Sequence, residues 1–91
     1  MKKEYTDTQI LSVLDKIHNR IENFKIMYHT EPKIIIISED LKLIIDYYFT
    51  SYECIEKQII EVNGYYTLFL KLFGYFTYSS VVLKNLDFDV M

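Results

Sequence analysis

The chain has 91 residues, is about half hydrophobic and carries a net charge of −3. That length fits one domain, and that apolar content excludes a disordered chain. The scattered basic residues form no stripe of the kind that grips phosphates, so nucleic acid is not expected as a partner.

Nine tyrosines and six phenylalanines are many for so short a chain. Some must reach the surface, where aromatics favour interfaces. Cys54 is the single cysteine, which leaves no disulfide framework and no thiolate zinc motif. Met1-Lys2-Lys3-Glu4 leads into a polar segment, and no apolar run approaches the length of a membrane helix. The expectation is a cytoplasmic protein without membrane contact.

Residues 1–5 read as a frayed tail of a single domain spanning 1–91. Thr6-Asp7-Thr8-Gln9 fits a capping box, with Thr6 as N-cap. Ile10, Leu14, Ile17, Ile21, Phe24 and Tyr28 then recur at steps of four and three. This predicts a first helix from about Asp7 to Tyr28 with one apolar stripe, flanked by Leu11, Val13 and Met27. The stripe suits the domain's own sheet; the heptad alternative is a seam with a second chain.

Pro32 opens the run Lys33-Ile34-Ile35-Ile36-Ile37-Ser38. Four successive isoleucines have no amphipathic period and predict a central strand covered on both faces. Ser38 is placed to cap a helix whose first turn holds Glu39 and Asp40. That second helix is expected from about Glu39 to Tyr52, with Leu41, Ile44, Ile45, Tyr48, Phe49 and Tyr52 inward. Lys42, Asp46 and Tyr47 are expected toward solvent or a partner.

Ile55–Val62 and Tyr65–Phe73 flank Asn63-Gly64, the strongest short-range hairpin signal. A two-residue loop pairs Val62 with Tyr65, Ile60 with Thr67 and Gln58 with Phe69 on one face. The other face carries Ile55, Ile59, Leu68, Leu70 and Leu72 and is the better core face. Two apolar faces require helices on both sides or a partner on one. Gly74 allows a turn or bulge, Tyr75–Ser79 reads as a further strand, and Ser80–Leu86 is unassigned. Leu86–Met91 alternates as an edge strand, its aspartates guarding the edge. The expected fold class is α+β: a small mixed or antiparallel sheet, a long N-terminal helix and a second helix after the central strand.

No residue set assembles into a catalytic, cofactor or metal site. His18 lies four residues before Glu22, the spacing of a solvated pair. Cys54 reads as a small buried hydrophobe. Tyr65, Thr67, Phe69 and Lys71 alternate as base-stacking platforms do, but with too few cations beside them. The expected interface residues are Tyr47, Tyr65 and Phe69.

From Pro32 onward the order of signals is distinctive. A proline-led apolar strand ends in Ser38-Glu39-Asp40. A hairpin follows, then Leu72-Phe73-Gly74 into a strand, a loop with Leu83 and Leu86, and a final Phe88-Asp89-Val90 strand. This resembles small proteins encoded by phages of Gram-positive bacteria and, more distantly, the axial segment of tailed-phage major capsid proteins. The chain lacks the long arm and extended loop of a capsid protein, and the family offers no catalytic residues to transfer. The resemblance implies a non-enzymatic accessory or structural protein. The expectation is thus a protein–protein interaction module that forms a homo-oligomer. The alternative is a small inhibitor binding a host protein target, such as a defence nuclease.

Overall fold

A computed structural model describes residues 5–48 and 54–91, apart from the side chains of Tyr47 and Tyr48. The chain is an α+β protein. Its elements are α1 (Asp7–Tyr28), β1 (Ile35–Ser38), α2 (Glu39–Tyr48), β2 (Ile55–Val62), β3 (Tyr65–Leu72), β4 (Tyr75–Ser80) and β5 (Phe88–Val90). The five strands form one mixed sheet in the order β2-β3-β4-β1-β5. β1 runs parallel to β4; the other neighbours are antiparallel. Hence β1 and β2 are parallel, and α2 is the crossover between them.

The capping box forms as the sequence requires. The Gln9 N–H donates to Thr6 Oγ1 at 3.2 Å, and the Thr6 N–H donates to Gln9 Oε1 at 2.8 Å. α1 ends on His29, which turns into the left-handed region while its N–H still bonds the Lys25 carbonyl at 2.9 Å. The stripe packs on the chain's own sheet: Ile10, Val13, Leu14, Ile17 and Ile21 are buried, and Phe24 partly so. It runs out before the helix does. Ile26, Met27 and Tyr28 are exposed, and the Tyr28 ring rests on Phe24 at 4.7 Å.

β1 passes into α2 without a loop. Ser38 Oγ accepts the Leu41 N–H at 3.0 Å and donates to the Asn85 carbonyl. It therefore caps the helix and ties it to the segment before β5. Leu41 and Ile45 are buried in the core that α1 shares with Ile35, Ile37, Ile55, Leu70, Leu72 and Val90. Lys42 and Lys57 both bridge Asp46, at 3.1 and 3.2 Å. The end of the second helix expected at Tyr52, with Phe49, lies outside the described residues.

Both two-residue turns have positive φ throughout: 52° and 83° at Asn63-Gly64, and 53° and 86° at Phe73-Gly74. The expected hairpin register holds at every pair. The second strand of the hairpin stops at Leu72 rather than Phe73, because Phe73 belongs to the next turn. Its N–H bonds the Cys54 carbonyl at 2.8 Å, and its ring meets His18 at 5.2 Å.

Three expectations need correction. Among the described residues the central strand is covered by helices on one face, not two: Ile35 and Ile37 are fully buried, whereas Ile36 is half-buried. Tyr5, placed in the frayed tail, packs against the core instead; the rest of that tail, residues 1–4, lies outside the described residues. Glu22 bridges Lys25 at 3.1 Å, so the pair set on its helix is Glu22–Lys25 rather than His18–Glu22.

Candidate interaction surface

Ladder partners share a face of the sheet, which sorts every strand residue. The helix-side face holds Ile35, Ile37, Thr77, Leu70, Leu72, Ile55 and Val90. The opposite face holds Ile36, Phe76, Tyr78, Phe69, Tyr65, Ile60 and Val62, with Thr67, Gln58, Lys71, Glu56 and Asp89 between them. Among the described residues, no element covers this second face.

The face is built around β3 and β4. Phe69 and Phe76 meet edge to face with ring centres 5.7 Å apart. Lys71 lies opposite Phe76 in the ladder, and its ammonium sits 4.5 Å from that ring. This cation–π contact places Lys71 across the aromatic surface instead of away from it. Glu56 is cross-strand from Lys71, and Asp89 from Ile36. The face is thus aromatic at its centre, with charges of both signs among the rings.

Tyr65 and Phe69, expected at an interface from sequence, stand on this face, one near the hairpin tip and one in the aromatic cluster. Tyr65 is 77% exposed, while Phe69 is half-buried by its neighbours. The side chain of Tyr47, the third expected residue, lies outside the described residues. Phe76 and Tyr78 complete the surface and were missed. Their signal was the alternation Phe76-Thr77-Tyr78, which sends both rings to one side, but strand order decides which side.

A second uncovered area lies on the helix side. The outer half of the hairpin extends past the helices, leaving Ile59 68% and Leu68 56% exposed, with Tyr66 beside them. These two apolar residues are a ladder pair. They were expected in the core; the core instead closes at Leu70.

The remaining chemistry is sparse. Burial pushes the half-buried Cys54 thiol up from its ordinary range. Burial likewise raises the Tyr75 hydroxyl, which donates to Glu31 Oε1 at 2.8 Å. The Lys25 ammonium is held up by its bond to Glu22. A shallow groove of about 290 Å³ lies at the start of α2, between Glu39, Asp40, Val81, Leu83, Lys84 and Asn85. Among the described residues no three His, Cys, Asp or Glu side chains gather to hold a metal ion, and no helix is long and apolar enough to cross a membrane. No protein-family model, curated protein or solved structure matches the chain.

Proposed function

We propose that the protein is a non-enzymatic protein–protein interaction module that associates with its own copies through the open sheet face. The observation that carries this reading is that face itself: the Phe69–Phe76 ring pair, with Tyr78 on the same face, has no covering element among the described residues. A monomer that leaves such a surface wet forgoes the burial that drives association.

Its size fits a modest assembly. Five strands of three to eight residues, at about 3.3 Å per residue and 4.8 Å between strands, give a face of roughly 450 Å². Two such faces together approach the ~1,000 Å² at which specific interfaces begin, so binding in the micromolar range is expected. Charges of both signs on one face let two copies meet without a net clash. A phage-type accessory or structural role is the setting proposed for such an assembly.

Sedimentation of the purified protein tests the reading. Dimers or larger species should appear at micromolar concentration. Tyr65→Ser with Phe69→Ser should weaken them while the far-ultraviolet circular dichroism stays unchanged. A wild type that is strictly monomeric at about 100 µM overturns self-association and moves the open face to a heterologous protein.

A further inference from the structure

We infer that residues 58–69, the outer half of the β2–β3 hairpin, form an arm that orders as it closes on the open face of a second copy. This rests on the self-association proposed above and adds a conformational step to that same contact.

Strand pairing sets the arm apart from the domain. β3 pairs with β4 only from Leu70 to Leu72. Beyond Thr77, β4 stays beside β1. From Tyr65 to Phe69, β3 therefore has β2 as its one neighbour among the described strands. No residue from 58 to 69 is buried. Ile59, Tyr66 and Leu68 are exposed on the helix side, and Val62 and Tyr65 on the open side. The core closes at Ile55, Leu70 and Leu72, and the Phe69–Phe76 ring contact marks the root of the arm. A two-stranded hairpin without a packed face is marginally stable in water. Unzipping this one as far as Phe69 uncovers no core side chain, so the arm can open while the domain stays folded.

Area ties the arm to the second copy. The ladder pairs Ile60–Thr67 and Val62–Tyr65 continue the face that holds Phe69. At about 3.3 Å per residue and 4.8 Å between strands, the arm supplies about a third of the roughly 450 Å² open face. Without it, two faces together bury roughly 600 Å², the size of an adventitious contact; with it they approach the ~1,000 Å² of a specific one. Association therefore needs the arm formed. The fraction of monomers in which it is formed enters the apparent affinity once for each copy. A marginal hairpin, formed in about a third of monomers, weakens the dimer roughly tenfold.

Amide exchange on the full chain, followed against concentration, reads the arm directly. Val62 and Tyr65 flank the two-residue turn and bond each other, so alternation turns the Gln58, Ile60 and Thr67 N–H groups into the same ladder. In dilute protein these three should exchange nearly as in an unfolded chain, and their protection should rise with concentration. The Leu72 N–H, bonded to Thr77 Oγ1 at 3.2 Å, should stay protected throughout. Locking the arm gives the converse. Glu61 and Tyr66 are exposed partners in a non-hydrogen-bonded pair, with Cα atoms about 4.5 Å apart, a separation that a disulfide spans. In a Cys54→Ser background, oxidised Glu61→Cys with Tyr66→Cys should dimerise about tenfold more tightly than its reduced form by sedimentation equilibrium. The arm is overturned if the three amides are as protected as Leu72 in dilute protein, or if the oxidised and reduced forms associate alike. Either result with a wild type that still dimerises leaves the open-face reading standing and removes this one. A strictly monomeric wild type overturns both.

Discussion

Ile17 and Ile26 lie on the same helix nine residues apart, which at 3.6 residues per turn places them on opposite sides. Ile17 has no exposed surface, while Ile26 is 71% exposed. Truncating a fully buried isoleucine to alanine costs about 2–5 kcal/mol, because transfer free energy is lost and the site collapses only in part. Ile17 sits mid-helix with Val13, Leu14 and Ile21 buried around it, so the upper half of that range, about 3–4 kcal/mol, is expected. The whole domain is expected to have only about 5–14 kcal/mol, at ~0.05–0.15 kcal/mol per residue. In urea, with a slope of about 1 kcal/mol per molar, the midpoint of Ile17→Ala should fall by about 3 M. Ile26→Ala should stay within about 0.5 kcal/mol of wild type, helped by the better helix propensity of alanine. Equal shifts for the two variants, or a loss below 1 kcal/mol at Ile17, would refute the packing of α1 on the sheet. The charged version is sharper: Ile17→Asp should unfold the domain, and Lys16→Asp should not.

Gly64→Val should cost about 1–3 kcal/mol by thermal melting. An added Cβ there meets nothing within 4 Å, so the penalty is conformational, from a β-branched residue at φ 83°. Tyr75 supplies a pH test. Its hydroxyl is raised above the ordinary 10.0, first by burial and then by the bond to Glu31. The fold therefore holds this proton more tightly than the unfolded chain does. The stabilisation is full below pH 10 and is lost as pH rises through the folded value. The stability difference between wild type and Tyr75→Phe, from urea titrations at pH 8 and pH 11, should accordingly shrink at the higher pH. Cys54 should react with iodoacetamide at pH 8 more slowly in the native protein than in urea, because burial raises its thiol; equal rates would show that the site is open.

Local chemistry was legible where one conformation had a single cheap solution. Thr6 and Gln9 close a capping box, and Ser38 caps α2, because each supplies the one acceptor its helix start lacks. Asn63-Gly64 tolerates positive φ at both places and so fixed the hairpin register. Phe73-Gly74 makes the same kind of turn with a residue that rarely enters that region, so the strand was read one residue too long. The parallel pairing of β1 with β4 joins residues about forty positions apart and leaves no local mark. That omission carried the largest consequences. Four isoleucines looked like a strand covered on both faces, but Ile36 is shielded sideways, by Tyr78 and Asp89 in its own sheet row, rather than by a second layer. The same omission hid Phe76 and Tyr78, whose side of the sheet depends on the order of strands.

Why the second face stays open follows from how the chain is spent. α1 precedes β1 and packs on one face. α2 starts directly after β1 and leads toward the parallel strand β2, so it must lie on one side of the sheet, and Leu41 and Ile45 enter the core that α1 already covers. From Ile55 to Ser80 the chain is strand or two-residue turn, which leaves no residue free to fold over anything. The segment 81–87 is used to reach β5 on the far side of β1, and Ser38 anchors it there through Asn85. A layer over Phe69, Phe76 and Tyr78 would need a further helix or sheet, and no described segment remains to supply one. Among the described residues the aromatic surface is therefore left without a layer of its own, and that is the observation on which the proposed assembly contact rests.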